Sequence, residues 1–166
     1  MGEPGAEVSD LSRLLVDYLE WYRRAVLRKI AGLSDAELRA PVEPMGWSPL
    51  GLVKHLGLVE RRWMRWGFAA EDIAPRLPGG ERAEWTVGED ESAEGVLAAY
   101  AAEVERSQVL AAGIPLDRPA GLGGRFTDPG QVPTLGRILF HLFQEYARHV
   151  GQLDIIRELI DGTTGE

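Results

Sequence analysis

Apolar residues recur at spacings of three and four in four long stretches of the chain, the period of helices that bury one face. The first stretch runs from Val8 to Ala31 and carries Leu11, Leu14, Leu15, Tyr18, Tyr22, Ala25, Val26 and Ile30 before Gly32 ends it. Ser34-Asp35-Ala36-Glu37 then reads as a capping box opening a short helix. Ser48 followed by Pro49 is a start signal, because the serine caps and the proline's missing N–H costs nothing at the first helical position. The second long helix is expected from Ser48 to Ala69, with Leu52, His55, Leu56, Val59, Trp63 and Trp66 on its face. The third is expected from Ser92 to Ala112, on Val96, Leu97, Tyr100, Val104 and Leu110. The fourth is expected from Thr134 to Ile160, ending before Asp161-Gly162.

Two long connections separate these helices. Glu71 to Asp90 holds Pro75, Pro78, Gly79, Gly80 and Gly88, and predicts a connection of little regular structure that Trp85-Thr86-Val87 packs onto the core. Gly113 to Gly130 is rich in Gly and Pro, with Phe126-Thr127 as a brief extended piece. Four long helices with two long connections predict an all-α, four-helix bundle, with the loop between helices 2 and 3 crossing it. A length of 166 residues fits a single domain over 1–166.

Composition narrows the functions. A formal net charge of −8 argues against nucleic-acid or anionic-membrane partners, which need a basic face. The absence of cysteine excludes disulfides, thiolate metal sites and a cysteine nucleophile, so any metal must be held by His, Asp or Glu. Met1-Gly2-Glu3-Pro4 has neither a basic nor an apolar character, Ala6 breaks the acylation pattern, and no apolar run is long enough to span a bilayer. The expected location is cytoplasmic. Lys29 and Lys54 are the only lysines among 18 basic residues, a bias that resembles a GC-rich bacterial genome.

The three histidines are the chemical signal. His55 lies in the second helix, and His141 and His149 lie in the fourth with Glu145 midway between them. Eight residues span roughly 12 Å along a helix, so His141 and His149 cannot share one ion. Four span roughly 6 Å, so Glu145 can pair with either histidine, but not with both. The best constellation is His55, Glu145 and His149, a two-His, one-carboxylate set with open positions, suited to Zn²⁺, Fe²⁺, Ni²⁺ or Mn²⁺. The plainer alternative is a hydrogen-bonded core histidine and a surface Glu–His pair. Gln152 shares the fourth-helix face and reads as a support rather than a ligand. His141 reads as a core histidine outside the ligand set. Trp63 and Trp66 line either the core or a pocket. Arg61, Arg62 and Arg65 either bind a carboxylate-bearing thiol cofactor or, on the plainer reading, form a solvated face paired with Glu60 and Glu71. Gly88-Glu89-Asp90-Glu91 lacks the alternation of a calcium loop and reads as a helix-start cluster.

Gly51-Leu52-Val53-Lys54-His55-Leu56 and Ala147-Arg148-His149-Val150-Gly151-Gln152 resemble the two hallmark segments of the DinB/YfiT-like superfamily. Arg24 to Leu33, Ser48 to His55, and Val59-Glu60-Arg61-Arg62-Trp63 resemble its mainly actinobacterial branch that includes the mini-circle protein. The resemblance spans nearly the whole chain. It implies a four-helix bundle, often a homodimer, with a divalent metal near the core and a small-molecule substrate. Its second-helix ligand falls on His55 and its final ligand on His149. The first member of the fourth-helix pair, usually His, falls on Glu145, a departure that leaves a competent carboxylate. His141 matches a position where the superfamily often has a further His outside the ligand set. The activities implied are thiol-dependent S-transferases or isomerases using mycothiol, bacillithiol or glutathione. The rivals are a metal-dependent hydrolase on the same ligands, and a non-enzymatic stress protein that binds a metal or small molecule.

Overall fold

The computed structural model describes residues 3–165; Met1, Gly2 and Glu166, the ends of the expected domain, lie outside them. Among the described residues the fold is all-α. The long helices are α1 (Leu11–Ile30), α3 (Pro49–Glu60), α5 (Ala93–Ala111) and α6 (Leu135–Asp161), with short helices α2 (Asp35–Arg39) and α4 (Gly80–Trp85) between them. No helix among the described residues is long and apolar enough to cross a membrane.

Local chemistry sets most of the boundaries. Helix α1 starts three residues later than the apolar pattern suggests, because the Asp10 side chain accepts from the Arg13 N–H at 2.7 Å and caps it there. Ser34 and Glu37 form the reciprocal capping box of α2. Ser48 accepts from the Gly51 N–H, with Pro49 at the first turn of α3. Gly162, at φ +76°, ends α6.

Two expectations are corrected. The second long helix is not α-helical to its end: Arg61–Phe68 is a π-helix, in which the Ala69 N–H reaches back five residues to the Met64 carbonyl. The 71–90 connection carries more regular structure than expected, since α4 sits in it; Gly79 (φ +95°) and Gly80 (φ +71°) make the turn that starts it. In the second connection Phe126-Thr127 joins no strand, and Phe126 packs instead at 6.4 Å from the Trp63 ring.

Helix directions follow from which residues meet. Tyr18 meets Phe143 and Lys29 meets Asp154, so α1 and α6 run parallel. Lys54 meets Glu91 and Arg65 meets Glu103, so α3 and α5 run parallel. His55 lies by His149 and Trp63 by His141, so α3 and α6 run antiparallel. Parallel neighbours α3 and α5 require a connection that travels back along the bundle, which is what residues 69–92 supply. Gly57 lets α5 approach closely, for a Cβ there would lie 3.2 Å from the Tyr100 Cα.

One buried polar network draws on all four long helices. Arg23 donates from Nε and Nη2 to Glu60 at 2.8 and 2.9 Å, and from Nη1 to Glu20 at 2.5 Å. Tyr146 and Tyr100 join their hydroxyls at 3.2 Å, and Arg23 lies over the Tyr146 ring at 5.9 Å. Glu60 is fully buried, so it does not belong to the solvated arginine face that the sequence suggests. Burial works against the Arg23 charge, but Glu60, Tyr146 and Glu20 together more than offset it and raise the proton affinity above that of an ordinary arginine. Both tyrosines are pushed up, chiefly by burial, and stay neutral.

Removing one partner of such a pair leaves an uncompensated buried charge. Glu60→Ala is expected to lower the unfolding free energy by about 3–5 kcal/mol in urea titrations. Truncation of the exposed Arg13, whose ion pair is with the partly exposed Asp17, should change it by less than about 1 kcal/mol.

Candidate metal centre

The candidate site lies where α3 and α6 face each other in opposite directions. His55, Glu145 and His149 each offer one donor atom, and these three atoms lie within 4.8 Å of one another. The His55 and His149 rings are 5.1 Å apart at 75°. Both histidines are buried, and Glu145 is 12% exposed in its side chain.

Each side chain is held by something specific. Gln152, one turn beyond His149, accepts from His149 Nδ1 at 2.6 Å and so leaves the Nε2 lone pair free. That Nε2 is buried without a hydrogen-bond partner; it lies 3.3 Å from Glu145 Oε2 but is poorly aligned with it. His55 Nδ1 is also buried and unpartnered. Buried polar atoms are ordinarily satisfied, so two orphaned imidazole nitrogens beside a carboxylate are a pattern that a cation would complete. Glu145 uses both oxygens. Oε2 accepts from Arg148 at 2.7 Å and faces His149, while Oε1 lies 3.3 Å from His141 Nε2. The expectation that Glu145 pairs with only one histidine is therefore corrected. The helix spacing limits a single shared ion, but a two-oxygen carboxylate midway along one face reaches both rings.

Electrostatics keep the donors in their ligating forms. Burial, reinforced by His149, lowers the His55 pKa from 6.5 to about 3, so the ring is neutral. Contact with His149 is the largest cause holding the Glu145 carboxyl down, to about 2, against desolvation and with help from Arg148 and His141. Burial also lowers His141. A carboxylate and two imidazoles suit a divalent ion with positions left open.

The structure adds a residue that the histidine pattern does not point to. Trp85, the last residue of α4, stacks on His55 at 3.8 Å and 16°, and sits 5.5 Å from the His149 ring. Gly51 makes this possible: a Cβ there would lie 2.2 Å from the Trp85 carbonyl oxygen, so only glycine admits α4 this close to α3. The Trp85-Thr86-Val87 stretch, expected to pack the connection onto the core, was its signal in the sequence. Trp63 lies over His141 at 4.0 Å, beside Glu145. Trp66, within the π-helix, sits under Arg125 at 5.5 Å. Of the arginines, Arg62 pairs with the buried Glu84, Arg65 with Glu71 and Glu103, and Arg61 with Glu103. A cavity of about 610 Å³ lies elsewhere, between α1 and the end of α5, and Arg23 and Glu20 in its wall are already paired.

A family model described as mycothiol-S-transferase matches residues 14–162 of the chain. No curated protein matches it.

His55→Ala and His149→Ala should each abolish tight zinc binding by equilibrium dialysis, and His141→Ala should largely preserve it. Gly51→Ala should weaken binding too, by forcing Trp85 off His55. In the metal-free protein the folded His55 binds protons less readily than the unfolded one. Its contribution to stability is complete above pH 6.5 and is lost as the pH falls toward about 3. Urea midpoints should therefore drop between pH 6.5 and 4.5, above the range in which Glu145 titrates, and His55→Gln should flatten that slope.

Proposed function

The chain belongs to the mycothiol-S-transferase family, within the DinB/YfiT-like superfamily, and from that premise we propose that it is a metal-dependent enzyme that joins mycothiol to an electrophilic small molecule. The observation that carries this reading is the pair of orphaned, buried histidine nitrogens converging with an ionised carboxylate. A divalent ion held by His55, Glu145 and His149 would lower the pKa of a thiol brought to its open positions.

The chain's own residues set the terms of that chemistry. With no cysteine in the sequence, the nucleophilic sulfur must arrive with the substrate. Gln152 fixes the tautomer and direction of the His149 ring. Trp85 covers one face of His55 and keeps water from it. His141 and Arg148 brace the two oxygens of Glu145 and hold its charge at the site. In the transfer an S–C bond forms, the bond from that carbon to its leaving group breaks, and the thiol proton passes to solvent.

The test loads the purified protein separately with zinc, nickel, iron(II) and manganese(II), then follows mycothiol conjugation to 1-chloro-2,4-dinitrobenzene. At least one metal form should conjugate faster than the spontaneous reaction. A chelator should abolish the rate, metal should restore it, and His149→Ala should lack it. Consumption of the electrophile that does not depend on added thiol would point to hydrolysis instead. No turnover with any metal would contradict the reading.

A further inference from the structure

Beside the candidate metal centre stands a cation without a counter-charge. The Arg125 guanidinium lies over the Trp63 ring at 4.3 Å and over Trp66 at 5.5 Å. Among the described residues it makes no ion pair and no side-chain hydrogen bond. Held over two rings without an ion pair, this guanidinium keeps N–H groups for an acceptor at its edge.

The placement is built rather than incidental. In the π-helix the Trp66 and Phe68 carbonyls are taken by the second connection: Arg125 N–H donates to Trp66 O at 3.0 Å, and Gly121 N–H to Phe68 O at 2.8 Å. A Cβ on Gly124 would lie 2.1 Å from Trp66 O, so the loop can press this close only with glycine there. π-Helical segments often mark functional sites. The platform also reaches the centre, since the Trp63 ring is 4.0 Å from His141, whose Nε2 is 3.3 Å from Glu145.

The surrounding charge is positive. Arg62 and Arg76 act on Arg125, and Glu84 is the carboxylate that faces them both, at 2.5 and 3.6 Å. Burial first, then Arg62 and Arg76, lower the proton affinity of Arg125. Glu84 engages the other two arginines and leaves the Arg125 edge for one further anion.

We propose that Arg125, held on Trp63 and Trp66, binds a carboxylate at the edge of the candidate metal centre and so selects an organic acid as a reactant; this rests on the thiol-transferase reading. A single open guanidinium edge matches the two oxygens of a carboxylate, and the ring planes beside it suit a planar apolar body. Mycothiol carries no carboxylate, so the acid belongs to the electrophile. A carboxylate-bearing thiol such as glutathione is the other source of the same chemistry.

Two arms test this. In the first, benzoate and benzamide are titrated into the metal-free protein while the tryptophan indole N–H signals are followed by NMR, with Trp63→Phe and Trp66→Phe assigning the signals. Benzoate should shift both signals. Arg125→Gln should weaken benzoate about tenfold or more and leave benzamide unchanged, while Arg125→Lys, which keeps the charge but not the planar edge, should fall between. Equal benzoate binding by Arg125→Gln, or benzamide binding as tightly as benzoate, would overturn the proposal. So would inorganic phosphate displacing benzoate at lower concentration than acetate does.

The second arm compares chloroacetate with chloroacetamide as electrophiles for mycothiol, where sulfur displaces chloride in both. Arg125→Gln should lower the kcat/KM ratio of acid to amide about tenfold. If instead the preference for glutathione over mycothiol falls in that variant, the bound carboxylate is the thiol's. Absence of turnover with mycothiol would contradict the transferase reading, while the benzoate titration would still decide Arg125.

Discussion

The Arg23–Glu60 pair sits where the four long helices meet, and the geometry above it depends on that meeting. All four contribute polar residues: Arg23 and Glu20 from α1, Glu60 from α3, Tyr100 from α5 and Tyr146 from α6. A fully buried carboxylate tolerates few arrangements other than one that keeps its cation in place, so the pair limits how α3 can slide against α1. Tyr146 precedes His149 by three residues on α6, and Glu60 follows His55 by five on α3. The elements that carry the candidate ligands are therefore anchored from below by the same network.

Above that anchor the chain assembles donors without satisfying them. His55 is kept neutral by burial, His149 is turned by Gln152, and Glu145 is kept ionised by its neighbours. Each condition carries a cost, in desolvation or in an unmade hydrogen bond, and a bound cation would relieve all three at once. The closeness of Trp85 and the bareness of Gly51 belong to the same arrangement, because one is seated by the other.

Much of this was legible in the sequence. The 3.6 period, Ser48-Pro49 and the terminal glycine gave the long helices, and the spacing of His55, Glu145 and His149 gave a set that the fold does bring together. The π-helix was not legible, because a widened turn leaves no mark in an apolar pattern dense with Trp and Arg. Glu60 read as a surface residue because its partner lies 37 positions away on another helix. Glu145 read as choosing one histidine because spacing along an axis does not count the two oxygens of a carboxylate. Trp85 and Arg125 lie in connections, where no period predicts what a side chain will meet.

The most direct measurement is an anomalous scattering map from crystals grown with zinc. The account predicts one strong peak bonded to His55, Glu145 and His149 at about 2.0–2.2 Å, with Gln152 still bound to His149 and His141 outside the coordination sphere. A peak shared by His141 and Glu145 without His149, or a zinc-saturated crystal with none at this site, would contradict it.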